Sequence, residues 1–233
     1  MSGFVCSYGQ TEQQRIERMF QKIEHRGPFL SGIHVDGQII MAQNYLHADL
    51  SGADPSAESP VPHKDGDGLA ICYDGQIGNW AALAKQYGVE DGPFREERLL
   101  LRLYEQHGSD MLKELGDAIF AFVIKDGDTL FAARDLLGIK TLFYARENGT
   151  LYLASELKAI TAVSENVAEF PEAHYADQHG EFTRFSDLPD APSAITTQSV
   201  DQIAQKIREI IADSIRQRVD FARPTAGLLS GGM

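Results

Sequence analysis

Ser2, directly after Met1, is the first residue of this sequence with chemistry to offer. A chain from which Met1 is cleaved would begin with a hydroxyl and a free α-amine on one residue. That pair is a minimal catalyst: the amine takes the proton while the hydroxyl attacks a carbonyl. Many chains begin Met-Ser and use neither group, so residue type alone leaves both readings open. A second candidate is "LLSGG" near the other end, an apolar run entering a Ser-Gly-Gly loop. A Gly-rich loop that leads into a helix binds phosphate through backbone N–H groups, although "SGG" by itself is also a common flexible turn. Cys6 and Cys72 lie too far apart in sequence to give a metal-ligand spacing. The expectation is a reduced protein.

These residues need elements to position them. The chain of 233 residues is 43% hydrophobic and 24% charged, a composition that suits a globular domain with a core. A net charge of −13 opposes broad electrostatic binding to nucleic acid or to an anionic membrane. The longest apolar run, Ala118 to Ile124, is too short to span a bilayer. The first residues lack the basic and apolar regions of a signal peptide, so the expected location is the cytoplasm. Residues 4–8 read as a strand. Ile16, Met19, Phe20 and Ile23 recur at helical spacing and predict a helix over 12–24, which Pro28 prevents from continuing. Asp36-Gly37, Asp126-Gly127 and Asn148-Gly149 each sit between β-prone runs and predict hairpins. "LAICYDGQI" reads as a buried strand, and residues 51–68 as a loop rich in Ser, Pro, Asp and Gly. "NWAALAKQYG" and "EERLLLRLYEQHG" read as helices closed by glycine, the charges of the second forming a solvated face. "SELKAITAV" is a short helix. After residue 186 the composition becomes linker-like. Ser199 and Gln202 then form a capping box for a helix over 199–219, whose apolar face is Ile203, Ile207, Ile210, Ile211, Ile215 and Val219. "TAGLL" reads as an apolar strand. Two β blocks with helices on either side and no βαβ alternation imply an α+β fold of stacked antiparallel sheets.

The pieces "MSGFVCSYG", "EHRGP", "CYDGQIGNW", "GDAIFAFVIKD", "ARDLLGIKTLFYA" and "ASELKAI" occur in an order that resembles the glutaminase half of asparagine-synthetase-like class II glutamine amidotransferases. The pattern of that family reads Met-Cys-Gly-Ile, His-Arg-Gly-Pro-Asp, Asn-Gly-Glu-Ile, Ala-Arg-Asp-x-Leu-Gly-Ile-Lys and Ala-Ser-Glu-Ile-Lys-Ala. The resemblance implies a four-layer αββα N-terminal-nucleophile (Ntn) hydrolase sandwich over 1–187, a linker over 188–198, and the truncated start of an ATP-pyrophosphatase domain over 199–233. Leu229, Ser230, Gly231 and Gly232 would be the first, incomplete part of its nucleotide loop, which in the family continues x-Asp-Ser. No cofactor is implied for this chain; ATP and Mg²⁺ are implied only for a complete synthetase domain. The implied partner is that domain, in cis or as a separate chain, with a homodimer as a further assembly and neither nucleic acid nor membrane.

Residue by residue, the resemblance implies a degenerate glutaminase site. Ser2 stands where the family has its cysteine nucleophile, and a hydroxyl needs stronger activation than a thiol. Asp74-Gly75 stand at the oxyanion-hole positions. An ionised Asp74 would have no donor to offer and would place negative charge where negative charge develops, whereas losing one donor already costs about 10²–10³ in rate. Gln76 replaces the glutamate that binds the substrate ammonium. Tyr45-Leu46 replace the arginine-leucine pair whose guanidinium clamps the substrate carboxylate. Glu96 stands at the remaining amine-binding carboxylate, and Phe29 where the family has Asp. Cleavage before Cys6 would give a new N-terminus, "CSYG", with the same altered pocket; a small cysteine packed in the first strand is the simpler reading. His25 and Arg26 are expected to position the loop beside the N-terminus, and Arg134, Asp135 and Lys140 to form an ion-pair network at a sheet edge. His174 falls in a turn and is not a metal ligand on this reading. Three functions follow as expectations. The first is a scaffold domain in an ATP-dependent amide-forming enzyme of the β-lactam-synthetase or lasso-cyclase kind. The second is a fragment of a glutamine-hydrolysing asparagine synthetase using Ser2. The third is a stand-alone interaction module without catalysis.

Overall fold

A computed structural model describes residues 2–46, 61–65, 68–187, 195–219, 225–229 and 231. The chain divides into two compact units, Met1–Leu188 and Pro189–Met233.

The first unit holds two antiparallel sheets of six strands. One contains β1 (Gly3–Tyr8), β2 (Leu30–Asp36), β3 (Ile39–Tyr45), β8 (Phe143–Glu147), β9 (Thr150–Ala154) and β10 (Val167–Glu169), in the order β10-β8-β9-β1-β3-β2. The other contains β4 (His63–Asp65), β5 (Leu69–Ile77), β6 (Ala118–Asp126), β7 (Thr129–Arg134), β11 (His174–Asp177) and β12 (Phe182–Arg184), in the order β12-β11-β7-β6-β5-β4. All three expected hairpins form, as β2–β3, β6–β7 and β8–β9. The glycine of each turn takes a positive φ, which glycine adopts without a steric penalty.

Strand periodicity sorts the side chains into layers. Phe4, Cys6 and Met41 of one sheet meet Cys72, Val123 and Ala132 of the other in the space between the sheets. The opposite face of the first sheet carries Val5, Ile40, Ala42 and Tyr152, covered by Ile16, Met19 and Phe20 of α1 (Gln13–Gln21) and by Ala159 and Ile160 of α4 (Leu157–Ile160). The opposite face of the second sheet carries Ile71, Tyr73 and Phe122, covered by α2 (Trp80–Tyr87) and by Leu99, Leu100 and Leu103 of α3 (Arg95–His107). The result is the expected α+β sandwich in four layers, αββα. Cys6 and Cys72 are free, fully buried thiols of the inter-sheet layer. Burial pushes both well above the ordinary thiol range, so they are packing residues without thiolate reactivity.

The structure departs from the sequence reading in several elements. The first helix ends at Gln21 and a separate 3₁₀ turn spans Glu24–Arg26. The short strands β4, β10, β11 and β12 were not expected. Each has three or four residues, too few for alternation to show, and each forms because a neighbouring strand offers an edge. His174 starts β11, with Nδ1 2.7 Å from the Glu172 carbonyl, and is not in a turn. Most of the loop expected over 51–68 lies outside the described residues.

In the second unit, α5 (Val200–Arg218) begins with the expected capping box: the Gln202 N–H donates to Ser199 Oγ at 3.3 Å, and the Ser199 N–H donates to Gln202 Oε1 at 2.9 Å. Ile207, Ile210, Ile211 and Ile215 are exposed. Thr225–Leu229 forms no strand, contrary to expectation; an apolar composition alone does not make a strand, which needs an adjacent strand to pair with. Among the described residues, no helix is long and apolar enough to cross a membrane.

Candidate functional site

At one end of the sandwich the inter-sheet layer stops being apolar. The register explains why. Phe4 and Cys6 point between the sheets, and Ser2 continues that alternation. On β3 the inward series Ile39, Met41 continues to Gln43 and Tyr45; on β5 the inward series Ala70, Cys72 continues to Asp74 and Gln76. Three strands therefore deliver polar residues to the same end. Gln43 ties the sheets together there, its Nε2 donating to the Tyr73 carbonyl at 2.7 Å and its Oε1 accepting the Tyr73 N–H at 3.3 Å. The space beyond is a cavity of about 340 Å³, lined by Ser2, Tyr45, Leu46, Asp74, Gly75, Gln76 and Glu96, together with Tyr73, Phe94, Arg95, Glu97, Ile119 and Lys140. All seven glutaminase-position candidates meet in one place.

One wall is built around Asp74, a side chain only 3% exposed. Arg26 Nη2 donates to Asp74 Oδ2 at 2.8 Å, and Lys140 Nζ donates to Oδ1 at 2.9 Å. The same guanidinium donates from Nε to the Ser2 carbonyl at 2.8 Å and from Nη1 to Glu156 Oε1 at 3.1 Å. Arg26 thus fixes the residue before β1 and the Asp74 carboxylate together. Gly27, next along, passes so close to the Asn44–Tyr45 backbone that any Cβ would collide with it. Glu156 also receives His25 Nε2 and Lys158 Nζ, each at 3.0 Å. Burial raises the Glu156 pKa as the largest single influence. Hydrogen bonds from Lys158 and Arg26 and the charges of His25 and Lys158 together outweigh it and hold this carboxyl below its usual range.

The geometry corrects two expectations. Asp74 is not a bare anion facing the cavity, because two cations enclose it. Lys140 is not part of an edge ion-pair network with Arg134 and Asp135. Asp135 instead accepts backbone N–H groups from Phe120, Leu137, Ile139 and Lys140. Arg134 donates to the carbonyls of Gly138, Lys140 and Phe170 and pairs with Glu169. Between them they shape the 135–140 loop, and that shape carries Lys140 to Asp74.

The other wall is made of phenols and carboxylates. Tyr73 Oη donates to Glu96 Oε2 at 2.5 Å, and the Ile77 N–H donates to the same oxygen at 3.2 Å. Tyr45 Oη donates to Glu97 Oε1. Burial, followed by the charges of Glu96 and Glu97, pushes the Tyr73 phenol well above its ordinary range, so it stays a protonated donor at neutral pH. Gly75 is needed here because a Cβ would run into the Tyr73 ring and the Ile119 carbonyl. Phe94, just before α3, has φ +54, the left-handed region that few non-glycine residues enter, and meets Tyr45 edge-on at 5.4 Å. Glu97, 1% exposed, departs from the solvated face expected for this helix.

Residues 1–197 match the family model described as a glutamine amidotransferase domain. The chain belongs to the glutamine amidotransferase family. Curated relatives of this amidotransferase domain include the glutamine-hydrolyzing asparagine synthetase 2 of Lotus japonicus, 31% identical over 232 residues that cover 96% of this chain and 38% of that protein. The glutamine-hydrolyzing asparagine synthetase 1 of Saccharomyces cerevisiae is 31% identical over 246 residues, covering 100% and 42%. The chain spans about two fifths of the length of these relatives. Among solved structures, the glutamine phosphoribosylpyrophosphate amidotransferase of B. subtilis, in complex with ADP and GMP, shares the fold. Its TM-score is 0.65 at 17% identity, over 79% of this chain and 49% of that one. A second structure, described as the allosteric regulatory enzyme of purine biosynthesis, gives 0.64 at 19% identity over the same shares. At these identities the likeness concerns the fold alone.

Reading the sequence missed several groups of the amidotransferase cavity. Tyr73 and Glu97 could have been found: Tyr73 directly precedes Asp74, and Glu97 follows Glu96. Lys140 could not, because it arrives through a loop whose course is set by tertiary contacts. Of the nucleotide-loop candidates, Leu229 and Gly231 are described and Ser230 and Gly232 lie outside the described residues.

Proposed function

We propose that this chain is the glutaminase-like portion of a longer, ATP-dependent amide-forming enzyme of asparagine-synthetase type, and that its cavity serves as a scaffold and does not hydrolyse glutamine. The observation that carries this reading is Asp74. At the position where the family pattern has an asparagine, a carboxylate is held by Arg26 and Lys140. A carboxylate has no donor for an oxyanion, and here both its oxygens are already engaged. The remaining changes point the same way: a hydroxyl at Ser2, a neutral amide at Gln76, and a phenol at Tyr45 in place of a cation that could grip a carboxylate. ATP and Mg²⁺ belong to the synthetase portion of such an enzyme, in cis or on a separate chain, and the cytoplasm is its expected compartment.

Glutamate and ammonia release from L-glutamine by freshly purified protein tests this reading. No turnover above buffer is expected. Turnover of about one per second, an ordinary enzyme rate, would restore the alternative of a Ser2-dependent glutaminase.

A further inference from the structure

We propose that Asn148–Gly149 is a site of spontaneous covalent modification, deamidation through a cyclic imide, and that the isoaspartyl product disturbs the seating of β1. Nothing in it depends on what the cavity binds.

The sequence has four asparagines, Asn44, Asn79, Asn148 and Asn166, and only Asn148 precedes a glycine. Imide formation requires the backbone nitrogen of the following residue to attack the asparagine side-chain carbon, and a side chain on that residue hinders the approach. Tyr45, Trp80 and Val167 follow the other three. Asn148 and Gly149 are the two exposed residues of the β8–β9 turn. They take φ values of +49 and +79, a region that asparagine and glycine enter more readily than other residues. The ladder ends at the Glu147–Thr150 pair, which leaves the Gly149 N–H outside it. Among the described residues, apart from chain neighbours, no heavy atom lies within 4 Å of where a Cβ on Gly149 would stand. The outer side of the turn therefore has room for a five-membered ring. Asn44 is the opposite case: it is buried in β3, and its Nδ2 donates to the Ile23 carbonyl at 2.6 Å.

In the first step the Gly149 nitrogen gives its proton to water or hydroxide and bonds to Asn148 Cγ. The Cγ–Nδ2 bond breaks, and Nδ2 takes a proton from water and leaves as ammonia. Water then opens one of the two imide carbonyls. Opening at one gives an aspartate side chain on the original backbone; opening at the other routes the backbone through the side chain and gives isoaspartate. Water is the only co-reactant, and nothing is oxidised or reduced. The ammonia is one per chain and needs no glutamine, so glutamate release remains the readout for glutaminase activity.

The two products fit the turn unequally. Aspartate adds a charge to an exposed position. Isoaspartate adds a backbone carbon next to a close contact with the end of β1. A Cβ on Gly9 would stand 2.9 Å from Thr150 Oγ1, 3.0 Å from Thr150 Cα and 3.2 Å from the Gly149 carbonyl oxygen. Thr150 Oγ1 also donates to the Gln10 carbonyl at 3.0 Å. A lengthened turn must displace Thr150 or the Gly149 carbonyl from this contact.

The test incubates the folded 233-residue chain in mildly alkaline heavy-oxygen water, with circular dichroism to establish that it stays folded. Peptide mass spectrometry follows each asparagine, and isoaspartate-specific methylation follows the rearranged product. Asn148 should convert at least tenfold faster than any of the other three, with uptake of heavy oxygen and formation of isoaspartate. Asn166 is the internal control, being exposed as well but followed by a β-branched residue. Conversion at Asn148 no faster than at Asn166 would overturn the modification site. The isoaspartyl chain should melt several degrees below Asn148→Asp, which should melt with the wild type. Equal melting of the isoaspartyl chain and Asn148→Asp would overturn the effect on β1.

Discussion

On one wall of the cavity the Asp74 carboxylate is closed in by Arg26 and Lys140; on the other, Glu96 and Glu97 are held by phenol hydroxyls and a backbone N–H. The first arrangement spends its charge inside the protein. Removing Asp74 takes the carboxylate partner from Lys140 and one of two from Arg26, and the function of such a group is to hold its neighbours. The second arrangement orients two carboxylates through phenol hydroxyls and a backbone N–H.

Removal of the clamp should have the largest effect. Asp74→Ala takes from Lys140 its carboxylate and leaves Arg26 with Glu156, and breaking a buried ion pair in this way costs about 3 kcal/mol. For a domain of this size that is roughly a 6–12 °C fall in Tm, measurable by calorimetry or circular dichroism. A fall of under one degree would show that the two ion pairs are solvent-screened and not structural.

Gly75→Ala is the next largest perturbation, and it tests the opposite wall. The added methyl must push the Tyr73 ring aside, and overpacking of this kind costs about 1–3 kcal/mol. The melting temperature should drop by less than for Asp74→Ala, and the Tyr73–Glu96 hydrogen bond should be lost, which ultraviolet difference spectroscopy of the phenol reads directly. A neutral substitution would mean that the ring has room to move.

The legibility of the two walls in the sequence differed in the same way. The alternation of β5 places Asp74 and Gln76 on one face, and the hairpin turns, α3 and the capping box of α5 were all readable from local pattern. Tyr45 and Glu96 were readable through the motif order. What could not be read was the compensation of Asp74. Arg26 precedes it by 48 residues and Lys140 follows it by 66, and no local rule connects them. The strands β10, β11 and β12 escaped for a related reason, since each forms only because a sheet edge is already present. The expected strand over 225–229 failed conversely: its composition suits a strand, but composition supplies no neighbour.

A smaller effect is expected in acid. Glu156, which shares Arg26 with Asp74, has its pKa held below the usual carboxylate range in the folded protein. Its contribution to stability is therefore present above the unfolded value, about 4.3 for glutamate, and is lost as pH falls through the lower, folded value. The melting temperature should be insensitive to this group from neutral pH down to that range and fall below it. Glu156→Gln should flatten that acid limb. An unchanged limb in the variant would place the acid sensitivity elsewhere.

The most direct test of the clamp as a replacement for an oxyanion hole is glutamate release from L-glutamine by the wild-type chain and by Ser2→Cys, measured side by side after mass spectrometry has established the N-terminal residue of each. The cysteine supplies the family nucleophile and leaves Asp74, Arg26 and Lys140 in place. The account predicts that both proteins stay at the buffer rate, because a better nucleophile does not provide the missing donor. Sustained turnover by Ser2→Cys would contradict it, since that would mean that a carboxylate held by Arg26 and Lys140 is no obstacle to the chemistry.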